Sequence, residues 1–378
     1  MPNLEDYLDF RSDISFDIDP FNEVDNLIFS YLSYVDYSGI VPGPDRSGHI
    51  PIEQVERVFF QKHTPEEIMS MTTATKKAPF ILHKMAYSNR YGGTKIGYYT
   101  NELVPENSTQ FSAVSFFLPD NTVYVGFRGT DDSLVGWQED FNICFASKTG
   151  GQEKAVQYLN TLMCKNNLKI RVGGHSKGGN FAVYSSAFCK KEIQDRIIEI
   201  YSNDGPGFID EIIATNEYKS IVPRVKSIIP EQSIIGMMMD NEFENIVIKG
   251  DAAGLEQHNP IHWQVKGNRF ALSDTGIRDK SIMIDKILKK WALDVDYETR
   301  NAFGEILFSA LSSGGATKLS EITGSKMKSI AIIKKSIDKL DKEDQAVFYD
   351  VMKKLIVVSG GSFKDSILDW FNNSINKN

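Results

Sequence analysis

The stretch LKIRVGGHSKGGNFAVYSSAF, residues 168–188, decides the fold. Leu168, Ile170 and Val172 alternate with Lys169 and Arg171, the period-two pattern of a strand. From Asn180 the composition turns helical, and a helix is predicted to about residue 192. Between strand and helix lies Gly174-His175-Ser176-Lys177-Gly178, a Gly-x-Ser-x-Gly motif. A serine at the apex of a sharp strand-to-helix turn is held in strained backbone angles. Glycines two before and two after leave room for the turn and for close helix–strand packing. The following helix start aims backbone N–H groups at any oxyanion that develops there. Ser176 is therefore read as a nucleophile and the N–H of Lys177 as an oxyanion donor. A phosphate cradle is the competing reading. It fails because a P-loop ends in Gly-Lys-Ser/Thr, whereas the order here is Ser176-Lys177-Gly178, and Gly-x-Gly-x-x-Gly spacing is missing.

Upstream, the run 111–118 meets Pro119-Asp120-Asn121 and returns through 122–127, a hairpin signal. A helix is expected near 153–164, and strands near 197–202, 224–229 and 245–249. Strands alternating with helices imply a mainly parallel sheet flanked by helices. The hairpin's second strand ends in Phe127-Arg128-Gly129-Thr130, with Trp137 and Asp140 beyond it. A strand running into such a loop upstream of the nucleophile is where a hydrolase finds its second oxyanion donor, here the N–H of Thr130. Arg128 is expected to form an ion pair, with Asp140 as the candidate partner.

The block 125–130, with Trp137 and Asp140, resembles the corresponding strand and loop of class 3 (fungal-type) lipases, and Gly-His-Ser-Lys-Gly-Gly-Asn resembles their nucleophile elbow. With Lys177 in place of the usual leucine, the chain looks closer to a group of uncharacterised bacterial lipase-like proteins of the α/β-hydrolase fold. The Phe21-Asn-Glu-Val-Asp-Asn-Leu27 run, the Asn203-Asp-Gly-Pro-Gly-Phe208 block and Gln257-His258 are similar to that group as well. The lipase resemblance covers about residues 95–265; the other runs nearly end to end and implies no particular substrate.

A serine nucleophile needs a base, and this fold orders its triad serine, acid, histidine. His49, His63 and His83 precede the motif, and His175 is expected to pack beneath the turn. His258 sits on a proline-marked loop after the last expected strand and is preferred to His262, whose run 261–265 looks like a packed strand. For the acid, Asp204 follows the strand after the nucleophile's own. The class 3 pattern has an aspartate one strand later, where this chain offers only Glu231, the second choice. The apolar run 233–239 is either core or the lining of an acyl pocket.

Composition sets the limits. The chain has 378 residues and a net charge of −8, with 41% hydrophobic and 24% charged residues and a pI near 5.4. Disorder and low complexity are excluded, and the lack of a basic block argues against nucleic acid. Cys144, Cys164 and Cys189 make no disulfide framework and have no metal-ligand spacing. No signal-peptide pattern and no stretch of ~18 apolar residues is found, so a cytoplasmic protein is expected. The acidic N-terminal 45 residues are read as a solvated lead-in to a helix near 24–32.

Amphipathic spacing at Ile284, Ile287, Leu288 and Trp291, again at 303–310, and in stretches near 325–340 and 342–358, points to a C-terminal helical region. The expected organisation is a lipase-like α/β-hydrolase domain over 1–275, with residues 1–95 as a helical lead-in packed on it, and a helical appendage over 276–378. The expected activity is a serine esterase or lipase working through an acyl-enzyme with Ser176, His258 and Asp204, on a small acyl ester or lipid, without metal or organic cofactor. A non-catalytic protein of the same fold that binds a lipid or a protein partner is the alternative. A peptidase or acyltransferase built on the same triad is a third reading.

Overall fold

Val123, Val125 and Phe127 face one apolar layer while Tyr124, between them, faces another, so the strand they form is buried on both sides. In this computed structural model that strand is the fourth of eight in one sheet, arranged in chain order. They are β1 (His49–Pro51), β2 (Lys95–Val104), β3 (Thr109–Phe117), β4 (Thr122–Phe127), β5 (Lys169–His175), β6 (Ile197–Asn203), β7 (Val225–Pro230) and β8 (Asn245–Ile248). β1 to β4 pair antiparallel, and β4 to β8 pair parallel. The sheet flanked by helices is the α/β architecture expected from the sequence. The structure describes residues 1–294 apart from 47, 72, 74, 144–147 and 163–166, together with isolated positions between 300 and 346.

One face of the sheet carries helices α1 (Leu4–Arg11), α2 (Glu23–Leu32), α3 (Ile52–Lys62), α4 (Pro65–Ser70) and α5 (Ala78–Ala86). The other carries α7 (Gly150–Leu162) and α8 (Lys177–Phe188), preceded by α6 (Leu134–Ile143) beside β3. Short helices α9 (Lys191–Gln194), α10 (Asp210–Ile213) and α11 (Asn216–Ile221) follow, and a small hairpin of Val265–Lys266 with Arg269–Phe270 closes this part of the chain. Two units are distinguished, Met1–Ile277 and Arg278–Asn378. In the second, α12 (Asp279–Asp294) covers the first of the amphipathic stretches; only isolated positions of those at 303–310 and 342–358 are described, and 325–340 lies outside the described residues.

The N-terminal segment is not merely solvated. Asp25 is fully buried and paired bidentately with Arg90, Nε at 2.9 Å and Nη2 at 2.5 Å, and it also accepts the Tyr91 hydroxyl at 2.5 Å. Its carboxylate further accepts the Asn22 N–H at 2.9 Å, closing a capping box at the start of α2. An acidic residue followed by apolar ones was thus a helix cap turned inward. The reason lies 65 residues away in Arg90.

Candidate active site

β5 ends at His175, and Ser176 turns the chain with φ 59° and ψ −132°. Such angles cost a non-glycine residue about 1–3 kcal/mol. They are held by the Ser176 N–H donating to the Asn203 carbonyl at 2.9 Å. Asn203 in turn donates through Nδ2 to the Gly174 carbonyl at 3.0 Å and to Ser30 Oγ at 2.9 Å, and its Oδ1 accepts from Asn26 Nδ2 at 2.8 Å. Helix α2 therefore braces the turn from beneath. α8 starts at Lys177, three residues earlier than its side chains suggest. Packing overrides the low helical preference of Gly178: a Cβ there would sit 2.1 Å from the Phe127 carbonyl oxygen.

Asp204, directly after β6, is fully buried and adopts φ 51°. Its two oxygens are separately employed. Oδ1 accepts the Ser233 hydroxyl and the Gly236 N–H at 3.1 Å, and Oδ2 meets His258 Nδ1 at 2.6 Å. A carboxylate only accepts, so Nδ1 carries a proton, and in the neutral ring that leaves the Nε2 lone pair a general base requires. Ser176 Oγ makes no hydrogen bond among the described residues. The structure thus joins Asp204 to His258 and leaves the serine–imidazole bond unmade.

His175 does more than pack. Its Nε2 lies 2.7 Å from the His258 carbonyl, which can only accept, so Nε2 is the protonated nitrogen and Nδ1 accepts the Tyr34 hydroxyl at 3.0 Å. Burial and the neighbouring His258 push its pKa well below the usual imidazole range, which keeps it neutral. His258 is thus gripped twice, by Asp204 at its ring and by His175 at its backbone.

The Arg-Gly-Thr loop abuts the turn so closely that a Cβ on Gly129 would fall 2.1 Å from the Tyr34 hydroxyl and 2.5 Å from the His175 carbonyl oxygen. Among the described residues neither the Lys177 nor the Thr130 N–H is taken up by a hydrogen bond. Lys177 is the first residue of its helix, where N–H groups have no intrahelical partner. The Thr130 hydroxyl donates to Asp140 Oδ2 at 2.5 Å. Burial pushes Asp140 up to about 6 against the pull of Lys177.

Several expectations are corrected. Arg128 reaches Asp131 at 3.1 Å and Asn101 at 3.0 Å rather than Asp140, whose carboxylate is engaged by Thr130. Glu231 is buried, but its carboxylate accepts Ser273 Oγ at 3.0 Å while Asp204 takes His258. His262 lies in a short turn and pairs with Asp251 at 2.8 Å, instead of packing in a strand. The run 233–239, read as core or as the lining of an acyl pocket, also supplies donors to Asp204 from Ser233 and Gly236, and Ile234, Ile235 and Met237 to Met239 are half-buried. Tyr34, Ser233, Gly236, Gln110 and Glu139 were not foreseen. Nothing local distinguishes them, since each acts on a residue distant in the chain.

No group of His, Cys, Asp or Glu able to hold a metal occurs among the described residues, and no helix among them is long and apolar enough to cross a membrane. Comparison with known proteins finds no match among curated proteins and none among solved structures. A family model does match: Mbeg1-like, over residues 85–309. That span exceeds half the chain and contains Ser176, Asp204 and His258, with only the bracing residues of α2 and Tyr34 outside it; the chain belongs to the lipase-like Mbeg1-like family.

Proposed function

We propose that this protein is a serine hydrolase that cleaves carboxylic esters through an acyl-enzyme. The observation that carries the reading is the His258 Nδ1–Asp204 Oδ2 hydrogen bond of 2.6 Å, beside a serine at a strained strand-to-helix turn. Ser176 Oγ attacks the acyl carbonyl while His258 Nε2 takes its proton. Asp204 stabilises the imidazolium without itself taking the proton. The carbonyl oxygen, now negative, is received by the N–H groups of Lys177 and Thr130. His258 then protonates the leaving alcohol, the C–O bond to it breaks, and a water activated by the same imidazole releases the acid.

An apolar acyl group fits the surroundings. The partly exposed Ile234, Ile235 and Met237 to Met239 share a loop with the donors to Asp204, and Leu255, three residues before the base, is 64% exposed. Methionines adapt to irregular apolar ligands.

A fluorophosphonate probe tests this directly. Wild type is expected to be labelled, and Ser176→Ala and His258→Ala are not. Failure to label folded wild type, with no turnover of short- or long-chain p-nitrophenyl esters, would favour the binding-protein alternative.

A further inference from the structure

The first turn of a helix already carries partial positive charge, so a cation is disfavoured there. A cation without exposed surface is costly unless its protons are all accepted. Lys177 meets both conditions: it opens α8, and its side chain is fully buried. Its three ammonium protons face Gln110 Oε1 at 2.8 Å, Glu139 Oε2 at 3.0 Å and the Gly136 carbonyl at 3.4 Å. Gly136 and Glu139 both belong to α6, and Asp140 Oδ1 follows at 4.0 Å. Glu139 extends the connection. It accepts the Gln110 N–H at 3.0 Å from β3 and the Gly151 N–H at 2.7 Å from the start of α7. The next residue on α6, Asp140, holds the hydroxyl of Thr130.

One residue therefore touches both walls of the site. Its backbone supplies one candidate oxyanion donor, and its side chain grips the helix that holds the other. We propose that Lys177 is a positioning residue, its ammonium clamping α6, and through it the Thr130 loop, at a fixed distance from the serine turn. The catalytic consequence rests on the hydrolase reading; the clamp itself does not. The charges facing Asp140 are Lys177 from α8, Glu139 from its own helix and His258 from the loop opposite. Removing the ammonium leaves two adjacent carboxylates less compensated, which raises the pH at which Asp140 gains its proton.

The test uses the full chain carrying Lys177→Met, Lys177→Arg, or the neutral pair Lys177→Met/Glu139→Gln, which avoids stranding a buried carboxylate if the single change prevents folding. In the neutral pair, amide hydrogen exchange over residues 128–137 is expected to speed by at least ~10-fold relative to β6 and β7. Its kcat for a p-nitrophenyl ester falls by about 10²-fold, with KM within about threefold. In folded Lys177→Met the acid limb of kcat/KM moves to higher pH, and Lys177→Arg restores part of the rate. Unchanged exchange over 128–137 in the neutral pair, or a change in KM with kcat intact, overturns the proposal. If wild type neither takes a fluorophosphonate at Ser176 nor turns over ester, the hydrolase reading fails, and the exchange result alone decides the clamp.

Discussion

Asp204→Asn isolates one atom of the site. The substitution keeps the size of the side chain but replaces one acceptor oxygen by an NH₂ group. Which end becomes nitrogen is dictated by the neighbours. Oδ1 faces two donors, the Ser233 hydroxyl and the Gly236 N–H. The amide oxygen must stay there, and the nitrogen falls where Oδ2 met His258 Nδ1 at 2.6 Å. Two N–H groups cannot share that contact, so the imidazole gives up its Nδ1 proton and carries it on Nε2 instead. Nε2 is the nitrogen needed to take the proton from Ser176, and in that tautomer it cannot act as a base. The expected loss in kcat is about 10⁴-fold, the size seen for the same change in a serine protease, which corresponds to about 5.5 kcal/mol of transition-state stabilisation. Because both donors to Oδ1 remain satisfied, the melting temperature should hardly move. Steady-state ester hydrolysis, the rate of fluorophosphonate labelling and a thermal melt on the same samples give all three quantities. A loss below about tenfold in a folded variant would refute the claim that Asp204 sets the state of His258.

Two other predictions follow from buried charge. Arg90→Leu leaves Asp25 without the cation that holds it in the core, so urea unfolding should show a loss of about 3–5 kcal/mol. A loss under about 1 kcal/mol would mean that Asp25 finds other support. Asp140→Asn tests a site residue held against its own solvation. The folded protein keeps the Asp140 proton up to about 6, above the ordinary carboxylate value of 3.8. Between those values the folded state binds more protons than the unfolded chain, so wild-type stability falls as pH rises through the window. The asparagine variant should therefore match wild type near pH 3.5 and become relatively more stable above about 6. Parallel melting curves at the two pH values would contradict this.

What could be read from the sequence was whatever chemistry is local. The serine turn is fixed by five adjacent residues, Asp204 directly follows β6, and His258 closes a short turn, Gly254–His258, in the loop after β8. The sheet and hairpin were legible for the same reason, because alternation is a property of neighbours. Contacts made across the fold were not legible. Arg128 was assigned Asp140, although it reaches the nearer Asp131; that Asp140 is engaged by Thr130 is revealed only by the packing of α6. Glu231 competed with Asp204 on sequence position alone; the difference between them is the partner each meets, Ser273 for Glu231 and His258 for Asp204. The role of His175 depends on Tyr34, 141 residues earlier. No pattern within a short window contains such a pair.

The brace beneath the serine turn also governs how this protein must fold. Asn26 pairs with Tyr124, 98 residues later, and with Asn203, 177 residues later. During synthesis α2 leaves the ribosome before β4, β5 and β6 and must keep its apolar face unsatisfied until they have emerged. Such late, long-range closure slows folding and prolongs the exposure of sticky surface. It also means that a fragment cut to the family span, 85–309, discards the layer that covers one side of the sheet. The stretch by which the family is recognised is smaller than the unit that folds, and expression of that stretch alone should yield aggregate rather than folded protein.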